Sequence, residues 1–272
     1  MDMGTDVKRR VVIKVGGNFL TDDDKLRAFL RQIRKVQEAW HVVLVHGGGP
    51  QASDVSRRLG HRPRKVAGRR ITDEATLEVV KMTYAGVLQT DLVATARREG
   101  IPAVGLTGVD GGLIEAERRL PLTIEGEEVD FGWVGEIREV RTAILDVLVS
   151  HGFVPIISPL AGNDRGEVFN INADTLAASL AVAWQAHMLL FVLETGGVLY
   201  DVTLPETRME ELSEEDYHRG SQEGWIHTGM HPKLQAGFHA LHGGVEEVVI
   251  AAASSLYEVA AGKGAGTRLR RS

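Results

Sequence analysis

The chain has 272 residues, 43% of them hydrophobic and 25% charged, enough to bury the core of one large α/β domain or of two lobes. Its 31 Lys and Arg against 37 Asp and Glu leave a formal net charge of −6, which argues against nucleic acid as a partner because that ligand needs a positive surface. No cysteine is present, so disulfides, thiolate metal sites and a cysteine nucleophile are excluded; the opening MDMGTDVKRR lacks the apolar centre of a signal peptide and no apolar run reaches the length of a membrane span, so a cytoplasmic protein is expected.

Short apolar runs recur along the chain at 11–15, 42–45, 102–106, 153–158, 188–193 and 247–251, with longer amphipathic stretches between them. Runs buried on both faces and joined by helices predict a mostly parallel sheet with helical crossovers. The first run ends in Lys14-Val15-Gly16-Gly17, and the second passes straight into His46-Gly47-Gly48-Gly49-Pro50. Right-handed crossovers bring both loops to the same carboxyl edge of the sheet, where amides unshielded by a Cβ suit an anionic oxygen. Neither G-x-x-x-x-G-K-[S/T] nor G-x-G-x-x-G occurs, so a phosphate site must be built in another way. Lys14, near the end of an apolar strand, either snorkels to the strand end or meets an anion that offsets its desolvation.

From Asp73 a long helix is predicted, with Leu77, Val80, Tyr84, Val87, Leu88 and Leu92 on its buried face and Gly100 closing it. Residues 107–136 break the rhythm with short strands and Gly turns, a hairpin insertion at the sheet margin. The stretch 160–169 is the natural division between two lobes, 1–169 and 170–272. Immediately after it, Asn170, Asn172 and Asp174 alternate ahead of an Ala/Leu-rich helix. One of them suffices as a cap; alternation predicts all three on one side of an extended segment. Residues 200–225 are acidic and read as a solvated surface excursion. Pro232 opens a helix carrying Leu234, Phe238 and Leu241 on one face and Lys233 in its first turn. His227, His231, His239 and His242 lie nearby without clustered carboxylates, so no metal site is expected there.

Taken in order, KVGG, HGGGP, GRRITD (68–73), NINAD (170–174), GMHPK (229–233) and GTRL (266–269) resemble the amino-acid kinase family, and within it the branch that phosphorylates N-acetyl-L-glutamate in arginine biosynthesis. The resemblance runs from about residue 11 to 269. It implies a three-layer α/β/α sandwich around a mostly parallel sheet of about eight strands, the carbamate kinase-like fold. It also implies an N-terminal lobe for the acyl amino acid and for dimerisation, and a C-terminal lobe for ATP with Mg²⁺. Carried over by position, Lys14 and Lys233 are the expected phosphoryl-binding lysines and Asp174 the carboxylate that holds both. Gly16, Gly17, Gly47 and Gly48 are expected to present amides to the phosphoryl group. Arg70, Asn170 and Asn172, with Gly48, are the expected substrate contacts, and Glu194, Gly197, Gly229, Met230 and Lys233 the nucleotide contacts.

Two departures stand out: Glu194 where relatives usually have Asp, and Thr228 where a second glycine is common. The residues ahead of Lys14 do not form an amphipathic helix, so the expectation is a homodimer without arginine feedback, held by the helix from Asp73. A sibling kinase acting on N-succinylglutamate or on N-acylated or carrier-linked aminoadipate, and a non-catalytic amino-acid sensor, are the competing readings.

Overall fold

Apolar runs that can be buried on both faces become the centre of one eight-stranded sheet. The computed structural model describes residues 8–124, 126–227 and 229–271. The strands are β1 (Arg9–Val15), β2 (Trp40–His46), β3 (Ala103–Thr107), β4 (Val154–Ser158), β5 (Met188–Val192), β6 (Glu211–Ser213), β7 (Glu247–Ala251) and β8 (Thr267–Arg270). Their spatial order is β6-β8-β7-β5-β1-β2-β4-β3, parallel throughout except for the antiparallel pair β7–β8. All six apolar runs are strands of this sheet. Part of the expected N-terminal feature, and Thr228, lie outside the described residues.

The helices are α1 (Asp23–Ala39), α2 (Gly49–Arg58), α3 (Glu74–Lys81), α4 (Gln89–Arg98), α5 (Ala143–Ser150), α6 (Ala173–Ala183), α7 (Glu214–Glu223), α8 (His231–His242) and α9 (Leu256–Ala260). Strand alternation divides the core into two layers. Val12, Val43 and Leu189 pack under α5, α6 and α8 through Leu145, Leu180, Leu234 and Phe238. Val11, Ile13, Leu44 and Leu190 pack on the other face under α1, α4 and α9 through Phe29, Leu92 and Leu256. The result is the expected three-layer sandwich. No helix among the described residues is long and apolar enough to cross a membrane.

Four sequence expectations are corrected. The helix from Asp73 is not uniform: a π-helical stretch at Met82–Leu88 joins α3 to α4. Leu88 is buried on the face it shares with Leu77, Val80 and Tyr84, whereas Val87, which falls beside that face, is 61% exposed. The insertion at 107–136 does more than edge the main sheet. Its strands Ile114–Arg118 and Gly135–Val140 join Leu160–Gly162 and Val168–Asn170 in a separate four-stranded sheet. The acidic stretch 200–225 contributes β6 and α7, the latter started by a Ser213–Asp216 capping box, and buries Leu212 and Tyr217. Finally, residues 170–174 are not one extended segment. Asn170 ends a strand, Asn172 accepts from the amides of Asp174 and Thr175 as the cap of α6, and Asp174 stands in the first helical turn.

Candidate active site

Lys14 stands one residue before the carboxyl end of β1, in register with Val45 and Phe191 on either side. Its ammonium emerges between the amino-terminal ends of α6 and α8, each of which offers one functional side chain. Asp174 projects from the first turn of α6, and Lys233 from the first turn of α8, beside Pro232. Both ammonium groups reach the same oxygen: Lys14 Nζ and Lys233 Nζ each lie 2.7 Å from Asp174 Oδ1. The three residues are no more than 9% exposed.

Burial alone would push the Asp174 carboxyl up, but the charges of Lys14 and Lys233 outweigh it and hold the group well below the usual carboxylate range. The Lys233 ammonium is pushed down to about 8 by burial and by repulsion from Lys14, against the pull of Asp174. Two ammonium groups on one carboxylate leave an excess positive charge at the sheet edge. Such an arrangement can receive a phosphoryl oxygen.

Lys14 and Asp174 form part of the floor of an open cavity of about 530 Å³, and Pro232, next to Lys233, lines it too. Gly17, Gly47, Gly48 and Gly49 line one side, Asn170 and Asn172 another, and Arg70 a third. The amide of Gly47 is spent, donating to the Val15 carbonyl at 2.9 Å and extending the β1–β2 pairing, so Gly47 does not supply the free donor expected of it. The amides of Gly16, Gly17 and Gly48 have no protein acceptor among the described residues. Glycine at 48 also has a packing cause: a Cβ there would lie 2.5 Å from Leu88 Cδ1 and 2.7 Å from the Tyr84 ring. At Gly17 a Cβ would meet Gln51 Oε1 at 2.7 Å, whereas at Gly16 and Gly49 it would meet nothing within 4 Å.

Arg70 is 8% exposed and makes no ion pair among the described residues. Its Nη2 donates to Gly49 O and Ser53 Oγ, both at 2.7 Å, while Nη1 is buried without a hydrogen-bond partner. A buried guanidinium of this kind calls for an anion. Asn170 Nδ2 donates to Thr72 Oγ1 at 3.1 Å, and Thr72 follows Arg70 by two residues, so the two cavity walls are tied together.

A sequence profile of the amino acid kinase family matches residues 9–252. The chain belongs to the amino-acid kinase family. The acetylglutamate kinase of Methanopyrus kandleri is 43% identical over 259 residues, covering 95% of this chain and 99% of that one. Among solved structures, the N-acetylglutamate synthase of Neisseria gonorrhoeae superposes with a TM-score of 0.80 at 24% identity, over 97% of this chain and 60% of that longer one. The carbamate kinase of Giardia superposes with a TM-score of 0.69 at 15% identity, over 98% of this chain and the whole of the other. At these identities the two structures speak for the fold, which is that of the amino-acid kinases.

In this amino-acid kinase the remaining expected residues lie away from the cavity lining. Glu194, just beyond β5, is exposed and pairs with Lys25 at 3.0 Å. Gly197 is enclosed by Arg208 and Thr267, a Cβ there lying 2.7 Å from each, so it too is fixed by packing. Gly229 has open space around it, and Met230 is the residue before α8. Among the described residues no group of three or more His, Asp or Glu side chains is placed to hold a metal ion.

Sequence reasoning passed over other residues of the site. His46, fully buried at the end of β2, contacts Gln89 Oε1 through Nε2 at 2.6 Å, and Gln89 Nε2 donates to Ile156 O at 2.6 Å. This link ties the glycine loop to β4. Lys65, Arg69 and Arg119 also line the cavity. The signal for Arg119 was available only as one arginine among several in an irregular insertion, and nothing in its spacing set it apart.

Proposed function

We propose that the chain transfers the γ-phosphoryl group of ATP to the side-chain carboxylate of N-acetyl-L-glutamate, giving the acyl phosphate and ADP. The observation that carries the reading is the single Asp174 oxygen held at 2.7 Å by both Lys14 and Lys233. Similarity to acetylglutamate kinases along nearly the whole chain supports the choice of substrate.

The chemistry asks little of a general base. A side-chain carboxylate with an ordinary pKa near 4.3 is already ionised at neutral pH. One of its oxygens forms the new bond to phosphorus as the bond to the ADP oxygen breaks. The barrier lies in bringing an anion to a triphosphate in line, so charge cancellation and alignment are what the protein contributes. An ammonium about 4 Å from a phosphoryl oxygen, at an effective dielectric of about 20, is worth roughly 4 kcal/mol. If two thirds of that appears only in the transition state, the rate changes about a hundredfold for each lysine.

In this reading Lys14 and Lys233 take the equatorial oxygens, Asp174 keeps them together, and the amides of Gly16, Gly17 and Gly48 complete the cradle. Arg70 and Asn170 hold the α-carboxylate and acetamido end. The side-chain oxygen of Asn172 is committed to capping α6, so its part is to place Asp174. Glu194, Gly197, Gly229 and Met230 are assigned to the nucleotide, in a lobe of residues 170–272 opposite the acyl-binding lobe 1–169. Mg²⁺ is assigned to the triphosphate and screens its charge; no step here runs through it. A cytoplasmic homodimer completes the proposal, supported by Met82 and Val87, which are 51% and 61% exposed on the helix that begins at α3. The test is ATP-dependent formation of hydroxamate from N-acetyl-L-glutamate and hydroxylamine. Absence of product with the purified chain would sink the assignment.

A further inference from the structure

The glycine loop after β2 is backed by a buried histidine. His46, the last residue of β2, is fully buried. It pairs with Val15 and lies on the α4 face of the sheet, whereas Lys14 pairs with Val45 and leaves on the face of α6 and α8. Both nitrogens of the His46 ring meet oxygens. Nδ1 is 3.0 Å from Gly47 O, and Nε2 is 2.6 Å from Gln89 Oε1.

The orientation of the Gln89 amide is fixed by its other partners. Its Nε2 donates to Ile156 O at 2.6 Å and to Leu106 O at 3.3 Å, so a reversed amide would set its oxygen against two carbonyls. Gly105 makes room for this nitrogen, since a Cβ there would lie 2.6 Å from it. A neutral imidazole carries one N–H. Between two acceptors it leaves one ring nitrogen with its lone pair against an oxygen; both contacts become hydrogen bonds only when the ring is an imidazolium. Burial opposes that charge and pushes the ring below its ordinary value, while Gly47 O and Gln89 Oε1 pull the other way. No other titratable group among the described residues acts on it. β3 and β4 carry none, Asp91 of α4 is exposed, and Arg27 and Arg31 of α1 are paired with Glu99.

Gly47 O belongs to the same peptide unit as the Gly48 N–H, and in a trans peptide the two point in opposite directions. A donor on Nδ1 that holds the carbonyl therefore aims the Gly48 amide away from the ring. That amide has no protein acceptor among the described residues, and Gly48 lines the cavity. A buried cation needs a negative charge nearby, and a phosphoryl group at this loop brings one.

We propose that His46 is a positioning residue for phosphoryl transfer: when a phosphoryl-bearing ligand occupies the glycine loop, the ring takes up one proton, holds the Gly47 carbonyl through Nδ1–H and so turns the Gly48 amide to the ligand. The proton comes from solvent and stays on the ring; none is passed to the substrate. The inference rests on reading the glycine loop as the phosphoryl site.

The experiment records the imidazole nitrogen resonances of the full chain, labelled at its histidine nitrogens, at about pH 7.5, where an ordinary imidazole is mostly neutral. Spectra are taken without ligand and with N-acetyl-L-glutamate, Mg²⁺ and the non-hydrolysable ATP analogue AMP-PNP, the His46 signals being assigned through the backbone of that residue. The ring is expected to be neutral with its proton on Nε2 in the free chain and doubly protonated in the complex. A ring that is neutral in the complex, or in the same state in both samples, overturns the inference. Failure to bind the analogue overturns it together with the glycine-loop reading. Kinetics give a second readout. In His46→Gln the side-chain amide takes the place of Nε2 and leaves Gly47 O unheld, so kcat should fall about a hundredfold while the KM for N-acetyl-L-glutamate stays within about threefold. In His46→Asn the amide takes the place of Nδ1, and about tenfold of that loss should be recovered. Unchanged kcat in His46→Gln, or no recovery in a folded His46→Asn, counts against the positioning role. Hydroxamate formation by a wild-type chain whose ring stays neutral defeats this inference and leaves the proposed function standing. A ring that becomes charged in the complex, with no product from ATP, does the opposite. Melting curves of both variants separate loss of positioning from loss of the fold.

Discussion

Lys14 and Lys233, from opposite ends of the chain, bond to the same oxygen of Asp174 at the same distance of 2.7 Å. The carboxylate is therefore a spacer as much as a counter-charge: it sets how far apart the two ammonium groups stand before any ligand arrives. Replacing it with Asp174→Asn keeps the shape and removes the charge. The two lysines then repel one another in a buried place, so stability is expected to fall by roughly 3 kcal/mol and turnover by about a hundredfold. Denaturant unfolding and hydroxamate assays of the purified variant check both, and wild-type values in both would count against the spacer role.

The depressed titration of Lys233 predicts the alkaline behaviour. Its ammonium loses its proton near pH 8 in the folded chain, against an ordinary value of 10.5. Between those values the unfolded chain binds more protons, so this group makes stability rise with pH from about 8 to 10.5. Activity moves the other way, because the charged form is the one that binds phosphate: kcat/KM should fall as pH rises through about 8. The limb should vanish in Lys233→Arg, whose charge persists. A flat wild-type profile between pH 7 and 9.5 would contradict this assignment.

Arg70 has no carboxylate partner of its own among the described residues, so its removal should be felt mainly in binding. Arg70→Ala is expected to raise the KM for N-acetyl-L-glutamate by about tenfold to a hundredfold with a smaller change in kcat. Arg70→Lys should recover only part, since the guanidinium also holds Gly49 O and Ser53 Oγ. An unchanged KM in the alanine variant would exclude it as the anchor.

The glycines separate into two kinds with different tests. Gly48→Ala forces a methyl against Leu88 and Tyr84, so it should cost about 1–3 kcal/mol of stability whether or not a ligand binds. At Gly16 the backbone has φ −75° and ψ 153°, which alanine adopts readily, and a Cβ meets nothing within 4 Å. Gly16→Ala should therefore leave the melting temperature unchanged while lowering activity about tenfold, by crowding the phosphoryl group. Full activity in that variant would mean that no phosphate oxygen comes close to this loop.

The legible part of the fold was its apolar centre. The runs giving β1, β2, β4, β5 and β7 are continuous because both faces are buried, whereas β3 at the sheet edge is an apolar run that is mostly half-buried. The strands β6 and β8, Glu211–Ser213 and Thr267–Arg270, are short, charged pieces at one end of the sheet, with little pattern to find. Val87 was misplaced because it is apolar and sits beside, not on, the face that Leu77, Val80, Tyr84 and Leu88 share at helical spacing. In the site, the motifs pointed to Lys14, Asp174, Lys233 and Arg70, and the fold brings the first three into contact. What a one-dimensional pattern could not carry is enclosure. That Gly48 faces Tyr84, or that Arg119 swings from a distant insertion onto the same cavity as Arg69, depends on how separate elements meet.

The exposed apolar side chains at Met82 and Val87 give the oligomeric state a direct handle. The proposed homodimer predicts that Val87→Glu shifts the chain toward monomer in sedimentation velocity, at unchanged secondary structure by circular dichroism. A wild-type chain that sediments as a monomer at micromolar concentration would refute the dimer.

The most direct trial of the whole account is acyl-phosphate formation, trapped as hydroxamate, from ATP and N-acetyl-L-glutamate by the wild type, Lys14→Met and Lys233→Met, each confirmed folded by its melting curve. Two ammonium groups acting on one migrating phosphoryl group predict robust product from the wild type and a loss of about a hundredfold or more in each variant. Product formed at near wild-type rates by either folded variant would contradict it.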